Sequence, residues 1–207
     1  IPSSLTAAED RIQSQIQFLL RLEDRHAEIR ASEYCPRSDS GIDLEYLLSK
    51  PSSFRTKYPE MPGWPLTYDP NEYVVHLPLE WHFKNRQPLP PINTQTMLKN
   101  HKEWLYVDSI YCIDFVKTFD FFNKMKHTDK FYLLKHVTVM TSSITSTYFS
   151  YTKGADNFLL YPDGRAPYKM HEESTKSVPW DIQSHMRRIG MDRTEYILLK
   201  SIIICDP

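Results

Sequence analysis

Cysteine is scarce in this 207-residue sequence: Cys35, Cys112 and Cys205 are odd in number and widely spaced. Since no Cys-x-x-Cys pair is present, they favour neither a disulfide framework nor a zinc module. Reduced thiols in a nuclear or cytosolic protein fit this usage best. The eight histidines contain no His-x-x-x-His unit. We therefore expect no bound metal ion.

The motifs of common enzyme classes are also missing. The sequence has no Gly-x-Ser-x-Gly, no phosphate-binding glycine loop and no paired-carboxylate motif. Each of these motifs supplies chemistry that catalysis needs, a nucleophile, a phosphate cradle or an acid and base pair. We therefore expect a protein that is not an enzyme and that uses no cofactor.

An excess of charge of one sign is absent, because 25 Lys and Arg residues nearly balance 26 Asp and Glu residues. Without a global basic field, we expect no direct nucleic-acid binding and no attraction to an anionic membrane. No apolar run approaches the roughly 18–20 residues that a membrane span needs. The chain begins at Ile1 rather than Met, which suggests a piece of a longer protein.

The sequence does have enough apolar material for a core, with 41% hydrophobic and 13% aromatic residues. Its length suits one domain. Thr6-Ala7-Ala8-Glu9 has the form of a capping box and predicts a helix that runs to about Ser32. The apolar face of that helix repeats at steps of three and four residues. This face comprises Ile12, Ile16, Leu19, Leu20 and Ala27.

A proline-rich stretch follows the first helix. Nine of the fifteen prolines lie between residues 51 and 91, and this density excludes regular helix there. Buried helices are predicted after it, because apolar residues occur on more than one side of each. The elements predicted are helices from Asn93 or Thr94 to about Phe119, from Thr128 or Asp129 towards Tyr151, over about 177–189 and from an Asp192–Glu195 box into 196–204, with a short strand and turn at 158–164.

Residue identity, rather than periodicity, indicates a family. The segment 115–135 reads aromatic-x-Lys, then Phe-x-x-apolar, then Asp-Lys-x-x-Leu-Leu-Lys. This order resembles the signature of nuclear hormone receptor ligand-binding domains. Further segments resemble the divergent receptors expanded in nematodes, and the resemblance runs from about residue 18 to the end. These segments are 22–34, 135–143, 148–151, 161–164 and 195–200.

The resemblance implies an all-α fold, an antiparallel three-layer helical sandwich, here incomplete, with one short β-hairpin or β-turn. A single partial ligand-binding domain is expected over residues 1–207. It divides into an N-terminal helix (1–35), a proline-rich irregular segment (36–92) and a helical core with a β-turn near 156–164 (93–207). The family's final helix and its dimerisation helices are expected beyond Pro207.

The resemblance also implies function. We expect a regulatory module of a nuclear transcription factor that binds a small apolar ligand, Leu-x-x-Leu-Leu helices of coregulators and a second receptor as dimer partner. Lys117 falls at the family's clamp lysine and Lys135 at the second basic position of the coregulator groove. A lysine at either place can bind the carbonyl end of a docked helix. An interaction-only or dominant-negative module without ligand control is the alternative, and a helical lipid carrier is a third possibility.

Ligand contacts in the family come from the inward faces of the same helices. They suggest a pocket in which Asp108 would be the notable polar group, costly to bury unless bonded. Phe149 stands where related receptors that bind fatty acids have an arginine, which argues against an acid ligand held in that manner. The predicted pocket residues are Trp104, Asp108, Tyr111, Cys112, Phe115, Met140, Ile144, Phe158 and Ile182.

One further motif has two interpretations. Leu44-Glu45-Tyr46-Leu47-Leu48 itself spells Leu-x-x-Leu-Leu. A short packed helix is one interpretation, since such pentapeptides are common in helical proteins. A segment that docks on its own chain or on a partner is the other.

Overall fold

The structure is a computed structural model. It describes residues 2–32, 34, 43–55, 102, 104–155, 159–162 and 178–205. Within these ranges the regular elements are seven α-helices and one turn of 3₁₀ helix at Ser53–Arg55, and no strand is present. The helices are α1 (Pro2–Arg30), α2 (Leu44–Ser49), α3 (Trp104–Val116), α4 (Asp120–Lys124), α5 (His127–Thr152), α6 (Val178–Ile189) and α7 (Arg193–Cys205).

The all-α prediction is confirmed by these elements, whereas the short β element is not. Leu159–Tyr161 have no regular structure, and Pro162 lies in a turn. The other residues of 156–164 lie outside the described residues. The predicted starts at Asn93 or Thr94 lie outside the described residues. Within them, none of the helices is both long enough and apolar enough to cross a bilayer.

Two helix starts differ from the prediction. α1 begins at Pro2, so the Thr6–Glu9 box lies inside the helix rather than at its start. Proline suits the first turn of a helix, where its missing N–H has no partner to lose. α5 begins at His127 with Lys126 at the N-cap, so Asp129 lies in the first turn and is not the cap.

Two other helix ends are as predicted. Gly190 follows α6 with a φ of 64°, the left-handed conformation that glycine adopts at a C-cap. The box before α7 is formed by two reciprocal bonds. The Glu195 amide donates to Asp192 Oδ1 at 2.8 Å, and the Asp192 amide donates to Glu195 Oε2 at 2.9 Å. These two bonds satisfy the amides of Asp192 and Glu195 at the start of α7.

α5 is the central helix of the described fold, and it packs against α3, α6 and α7. α1 packs across α3 and α7 and runs antiparallel to α3, because its residue 26 meets Phe115 and its residue 30 meets Asp108. The core between these helices is rich in aromatic and branched side chains. Its fully buried members include Ile29, Val107, Tyr111, Phe115, Val116, Phe122, Val137, Met186, Tyr196, Ile197 and Ile204.

The inward face of α1 becomes polar in its second half. Ile16, Leu19 and Leu20 are partly buried, but Ile12 is 56% exposed and Ala27 is exposed, contrary to prediction. The stripe continues instead through Glu23, His26 and Arg30, each at most 8% exposed. These positions follow one another at steps of three and four residues, so they share one side of the helix.

Glu23 and His26 meet Lys200 of α7 in the interior. Lys200 is fully buried, and its ammonium donates to Glu23 Oε2 at 2.7 Å and to His26 Nδ1 at 2.8 Å. It also lies 4.3 Å from the centre of the Phe115 ring. The Tyr196 hydroxyl donates to Glu23 Oε1 at 3.1 Å. α1 and α7 are thus joined by a hydrogen-bonded ion pair that is almost completely buried.

Replacement of one partner of this pair is expected to destabilise the fold strongly. Glu23→Met or Lys200→Met leaves a buried charge unpaired, and the free energy of unfolding should fall by about 3–5 kcal/mol. The double variant should lose less than the sum of the two single losses, because neither charge then remains. Urea unfolding of the four proteins measures this coupling. Additive losses would contradict a direct interaction between the two side chains.

His26 is expected to make stability depend on pH. Burial, and then the nearby Lys200 ammonium, lowers the pKa of His26 to about 4 from its ordinary 6.5. The unfolded chain therefore binds a proton that the folded chain refuses, and the free energy of unfolding should fall as the pH drops from 6.5 to 4.5. The loss should be about 2–3 kcal/mol.

Thermal or urea unfolding across that pH range checks this expectation. His26→Gln should flatten the slope, while His136→Gln, at an exposed position of α5, should leave it unchanged. The window stops at pH 4.5 because Glu23 begins to matter below it. Although burial opposes this, the Lys200 ammonium holds the pKa of Glu23 well below its ordinary value. An unchanged slope in His26→Gln would show that other groups cause the pH dependence.

Candidate functional site

Lys117 lies at the end of α3, one residue past its last helical position. Its amide still donates to the Ile113 carbonyl at 3.0 Å, so the backbone completes the last turn. The side chain is only 7% exposed. Its ammonium donates to Asp114 Oδ1 at 2.9 Å and to the carbonyl oxygen of Leu47 at 2.7 Å. The predicted clamp lysine is therefore in contact with α2.

α2 is the segment that spells Leu-x-x-Leu-Leu. Its three leucines, Leu44, Leu47 and Leu48, are partly buried and pack against the core, whereas Glu45 and Tyr46 are exposed. Asp43 caps the helix, since its Oδ1 accepts a hydrogen bond from the Glu45 amide at 2.9 Å. A helix of six residues is marginal in water, so tertiary contacts must hold this one in place.

The hydrogen bond from Lys117 replaces one that the α2 backbone lacks. In a continuing helix the carbonyl of Leu47 would accept from the amide of residue 51. That residue is Pro51, which has no amide hydrogen. The Leu47 carbonyl is therefore an unpaired group at a helix C-terminus, and it carries partial negative charge. The ammonium of Lys117 supplies both the missing donor and a favourable charge.

Asp114 fixes the segment that follows α2. Its Oδ2 accepts from the Ser53 hydroxyl and, at 3.3 Å, from the Ser53 amide. The Ser52 hydroxyl donates to the backbone carbonyl of Asp114 at 2.7 Å. Phe54 then packs edge-on against Phe115, with ring centres 5.9 Å apart. The chain after α2 is thus bound to α3 by several buried contacts.

The other end of α2 reaches α5. Glu45 Oε2 lies 2.8 Å from His127 Nε2, and the two side chains are 63% and 53% exposed. An ion pair this exposed contributes little to stability, typically below about 1 kcal/mol. α2 therefore lies between the end of α3 and the first turn of α5.

Lys135, the second predicted groove residue, is exposed on α5. It follows His127 and Phe131 at steps of four residues, so the three share one side of that helix. Phe131 is 47% exposed. The structure therefore places Lys117 beneath α2 and Lys135 two turns along α5 from the α2 contact.

Most predicted pocket residues lie in the interior. Trp104, Asp108, Tyr111, Cys112, Phe115 and Ile144 are each at most 5% exposed, and Ile182 is partly buried. Met140 is 56% exposed and so lies outside the interior where the pocket was predicted, although steps of three and four residues join it to the buried Val137 and Ile144. Phe158 lies outside the described residues. Burial raises the pKa of the Cys112 thiol to about 11, so the thiol is protonated at neutral pH.

Asp108 is bonded by a residue that the sequence analysis missed. Arg30 Nε donates to Asp108 Oδ1 at 2.8 Å, and Arg30 Nη2 donates to Oδ2 at 3.0 Å. Ser146 also donates to Asp108 Oδ2, at 3.0 Å. The guanidinium lies 5.4 Å from the Trp104 ring centre and 5.5 Å from that of Phe149. An arginine is thus present beside Phe149, but it comes from α1 and is paired.

A signal for Arg30 did exist in the sequence. The helical spacing that joins Ile16, Leu19 and Leu20 also passes through Glu23, His26 and Arg30. Because we expected an apolar face, we continued it from Leu20 to Ala27 and not through the polar residues. Polar residues that continue an apolar stripe indicate buried, paired side chains.

Several known proteins are similar to this chain. The chain is 27% identical to nuclear hormone receptor family member nhr-60 of Caenorhabditis elegans over 209 aligned residues, which cover 100% of the chain and 45% of that protein. The chain is therefore similar over its whole length to a nuclear hormone receptor family member of a nematode. Two more C. elegans members, nhr-153 and nhr-136, are 30% and 31% identical over 56% and 50% of the chain.

The chain spans less than half the length of these curated relatives: 45% of nhr-60, 29% of nhr-153 and 25% of nhr-136. No family model and no solved structure matches it. The similarity to nuclear hormone receptors therefore depends on the curated relatives, and the all-helical architecture is consistent with a ligand-binding domain of that family.

Proposed function

We propose that this chain is the ligand-binding and coregulator-binding module of a nuclear-receptor-type transcription regulator that acts in the nucleus. The observation that carries the proposal is the contact between Lys117 and the Leu47 carbonyl at 2.7 Å. The lysine that the family uses to hold a Leu-x-x-Leu-Leu helix is here bonded to the C-terminal part of such a helix. No catalytic role is proposed for the chain.

The chemistry of this contact suits the recognition of a partner helix. The last carbonyls of any helix lack partners within it, and a cation beside them stabilises the helix end by about 0.3–1 kcal/mol. The apolar side chains supply more, at about 1.5–3 kcal/mol for a fully buried leucine. The lysine would thus orient a partner helix, and the leucines of that helix would supply most of its binding affinity.

The interior favours a neutral apolar ligand over a carboxylic acid. Arg30 could hold a carboxylate, but Asp108 already binds it through two hydrogen bonds. An incoming acid would have to displace a buried, well-aligned carboxylate and leave that carboxylate unpaired. The neighbouring groups, Trp104 and Phe149, offer aromatic surface.

A ligand-independent interaction module is the second candidate. The predicted pocket positions Tyr111, Cys112 and Phe115 belong to one continuous core, and the charge of Arg30 is satisfied by the chain itself. A core that is complete without ligand favours a module that recognises partners only. Saturable uptake of an apolar probe by the folded chain would decide for ligand binding.

Peptide binding tests the coregulator proposal. A fluorescein-labelled Leu-x-x-Leu-Leu peptide should bind the chain saturably in anisotropy titrations, and a peptide with alanine at the three leucine positions should not. Lys135→Ala should raise the dissociation constant about two- to fivefold, because it removes the second basic side chain that the family resemblance places along the groove.

Lys153→Ala is the matched control, since Lys153 lies at the other end of α5. It should leave the dissociation constant unchanged. Equal binding of the leucine and alanine peptides would contradict the coregulator proposal, and equal effects of the two lysine variants would assign Lys135 no special role.

Acid selectivity tests the role of Asp108. Asp108→Asn keeps the shape of the side chain but leaves Arg30 with an unneutralised charge. The variant should bind a fluorescent long-chain fatty acid at least about tenfold more tightly, relative to the matching alcohol, than the unchanged chain does. Asp129→Asn, at an exposed position of α5, is the control. If Asp108→Asn shows no change in the acid-to-alcohol ratio, Arg30 does not face the ligand.

A further inference from the structure

We propose that α2 is a built-in occupant of the coregulator groove, docked on Lys117, and that a coregulator helix must displace it in order to bind. This inference rests on the proposed coregulator function and adds its regulation. The receptor would then hold its own Leu-x-x-Leu-Leu segment in competition with the same motif on a partner.

The orientation of α2 is the first support. The motif leucines Leu44, Leu47 and Leu48 pack inward, while Glu45, Tyr46 and Ser49 between and after them are exposed. This is the pattern in which an amphipathic helix presents its anchors to a groove. The sequence motif and the buried face therefore coincide residue by residue.

The position of the ammonium is the second support. Lys117 is 7% exposed and is committed to the Leu47 carbonyl and to Asp114. A partner helix needs the same donor for its own terminal carbonyls, and the volume beside Lys117 is filled by α2. The two helices therefore cannot bind Lys117 in the same way at the same time.

Pro51 makes α2 suited to this place. Because the proline has no amide hydrogen, the Leu47 carbonyl depends on an outside donor, as the end of a partner helix does. Ser52 and Ser53 are bound to Asp114 just beyond the proline. The release of α2 therefore needs a change only in the residues before Ser52, and the anchored segment would hold α2 near the groove.

The contacts of α2 are weak enough for a partner helix to displace it. Its leucines are only partly buried, and its bond to His127 is exposed. A six-residue helix has little stability of its own once it leaves the surface. A docked fraction of about 90% would weaken the apparent affinity for a partner about tenfold.

The test is peptide binding by the full chain with α2 disabled. Leu47→Ala together with Leu48→Ala should lower the dissociation constant of the labelled Leu-x-x-Leu-Leu peptide about five- to tenfold. Adding Lys117→Ala to that variant should remove most of the gain, since the peptide then loses its own lysine. Tyr46→Ala, which alters an exposed side chain of the same helix, should change nothing.

A second variant guards against loss of the fold. Asp43→Ala removes the N-cap of α2 without altering its leucines, and it should tighten peptide binding about two- to threefold. Far-ultraviolet circular dichroism verifies that each protein is folded. If the leucine variant is unfolded, the Asp43→Ala result decides the question.

The outcomes separate the two claims. Tighter binding by the disabled chain, dependent on Lys117, supports the inference. Equal, leucine-dependent binding by the disabled and unchanged chains would overturn the inference and leave the coregulator function standing. If neither chain discriminates the leucine peptide from the alanine peptide, the coregulator function fails and the inference fails with it.

Discussion

The burial of ionisable side chains along α1 is the constraint on which the rest of the described structure depends. Glu23 and His26 enclose the ammonium of Lys200, and Arg30 pairs with Asp108. Charges placed in the interior must be paired and hydrogen-bonded, because an isolated one would cost several kcal/mol. The two pairs therefore fix the distance and the rotation of α1 relative to α7 and α3. The aromatic core around Phe115 packs within that frame.

The same frame places the functional groups. Because α1 runs antiparallel along α3, the chain that leaves α1 returns past Tyr111, whose hydroxyl donates to the Tyr34 carbonyl at 2.6 Å. It then reaches the end of α3, where Lys117 binds α2 and Asp114 binds Ser52 and Ser53. Lys117 donates a hydrogen bond to the Leu47 carbonyl, which Pro51 leaves without an amide donor. The contact of Lys117 with α2 thus depends both on Pro51, a local feature of the sequence, and on the packing of α1 along α3.

Much of the helical scaffold could be predicted from sequence, because its signals are local. The Asp192–Glu195 box, the left-handed Gly190 and the apolar content of α5 each depend on neighbours in the chain. The missed features depend on contacts between distant residues. The ion pair of Arg30 with Asp108 joins positions 78 residues apart, and the exposure of Met140 depends on which side of α5 its neighbours cover. Helical spacing indicates that Arg30 is buried, but it reveals neither its partner Asp108 nor the exposure of Met140. The Leu-x-x-Leu-Leu motif of α2 was visible in the sequence, but only the packing shows that it lies beside Lys117.

We propose that this chain recognises Leu-x-x-Leu-Leu helices at a site that its own α2 occupies. Hydrogen exchange of the α2 amides, measured by mass spectrometry with and without saturating peptide, tests it most directly. With α2 docked about 90% of the time, we expect the amides of residues 44–49 in the free chain to exchange about tenfold more slowly than those of an unstructured peptide. When the leucine peptide is bound, we expect them to exchange at nearly the unstructured rate. Residues 53–55 should stay protected in both states, because Asp114 holds them. Peptide binding that leaves the exchange of α2 unchanged would contradict the account.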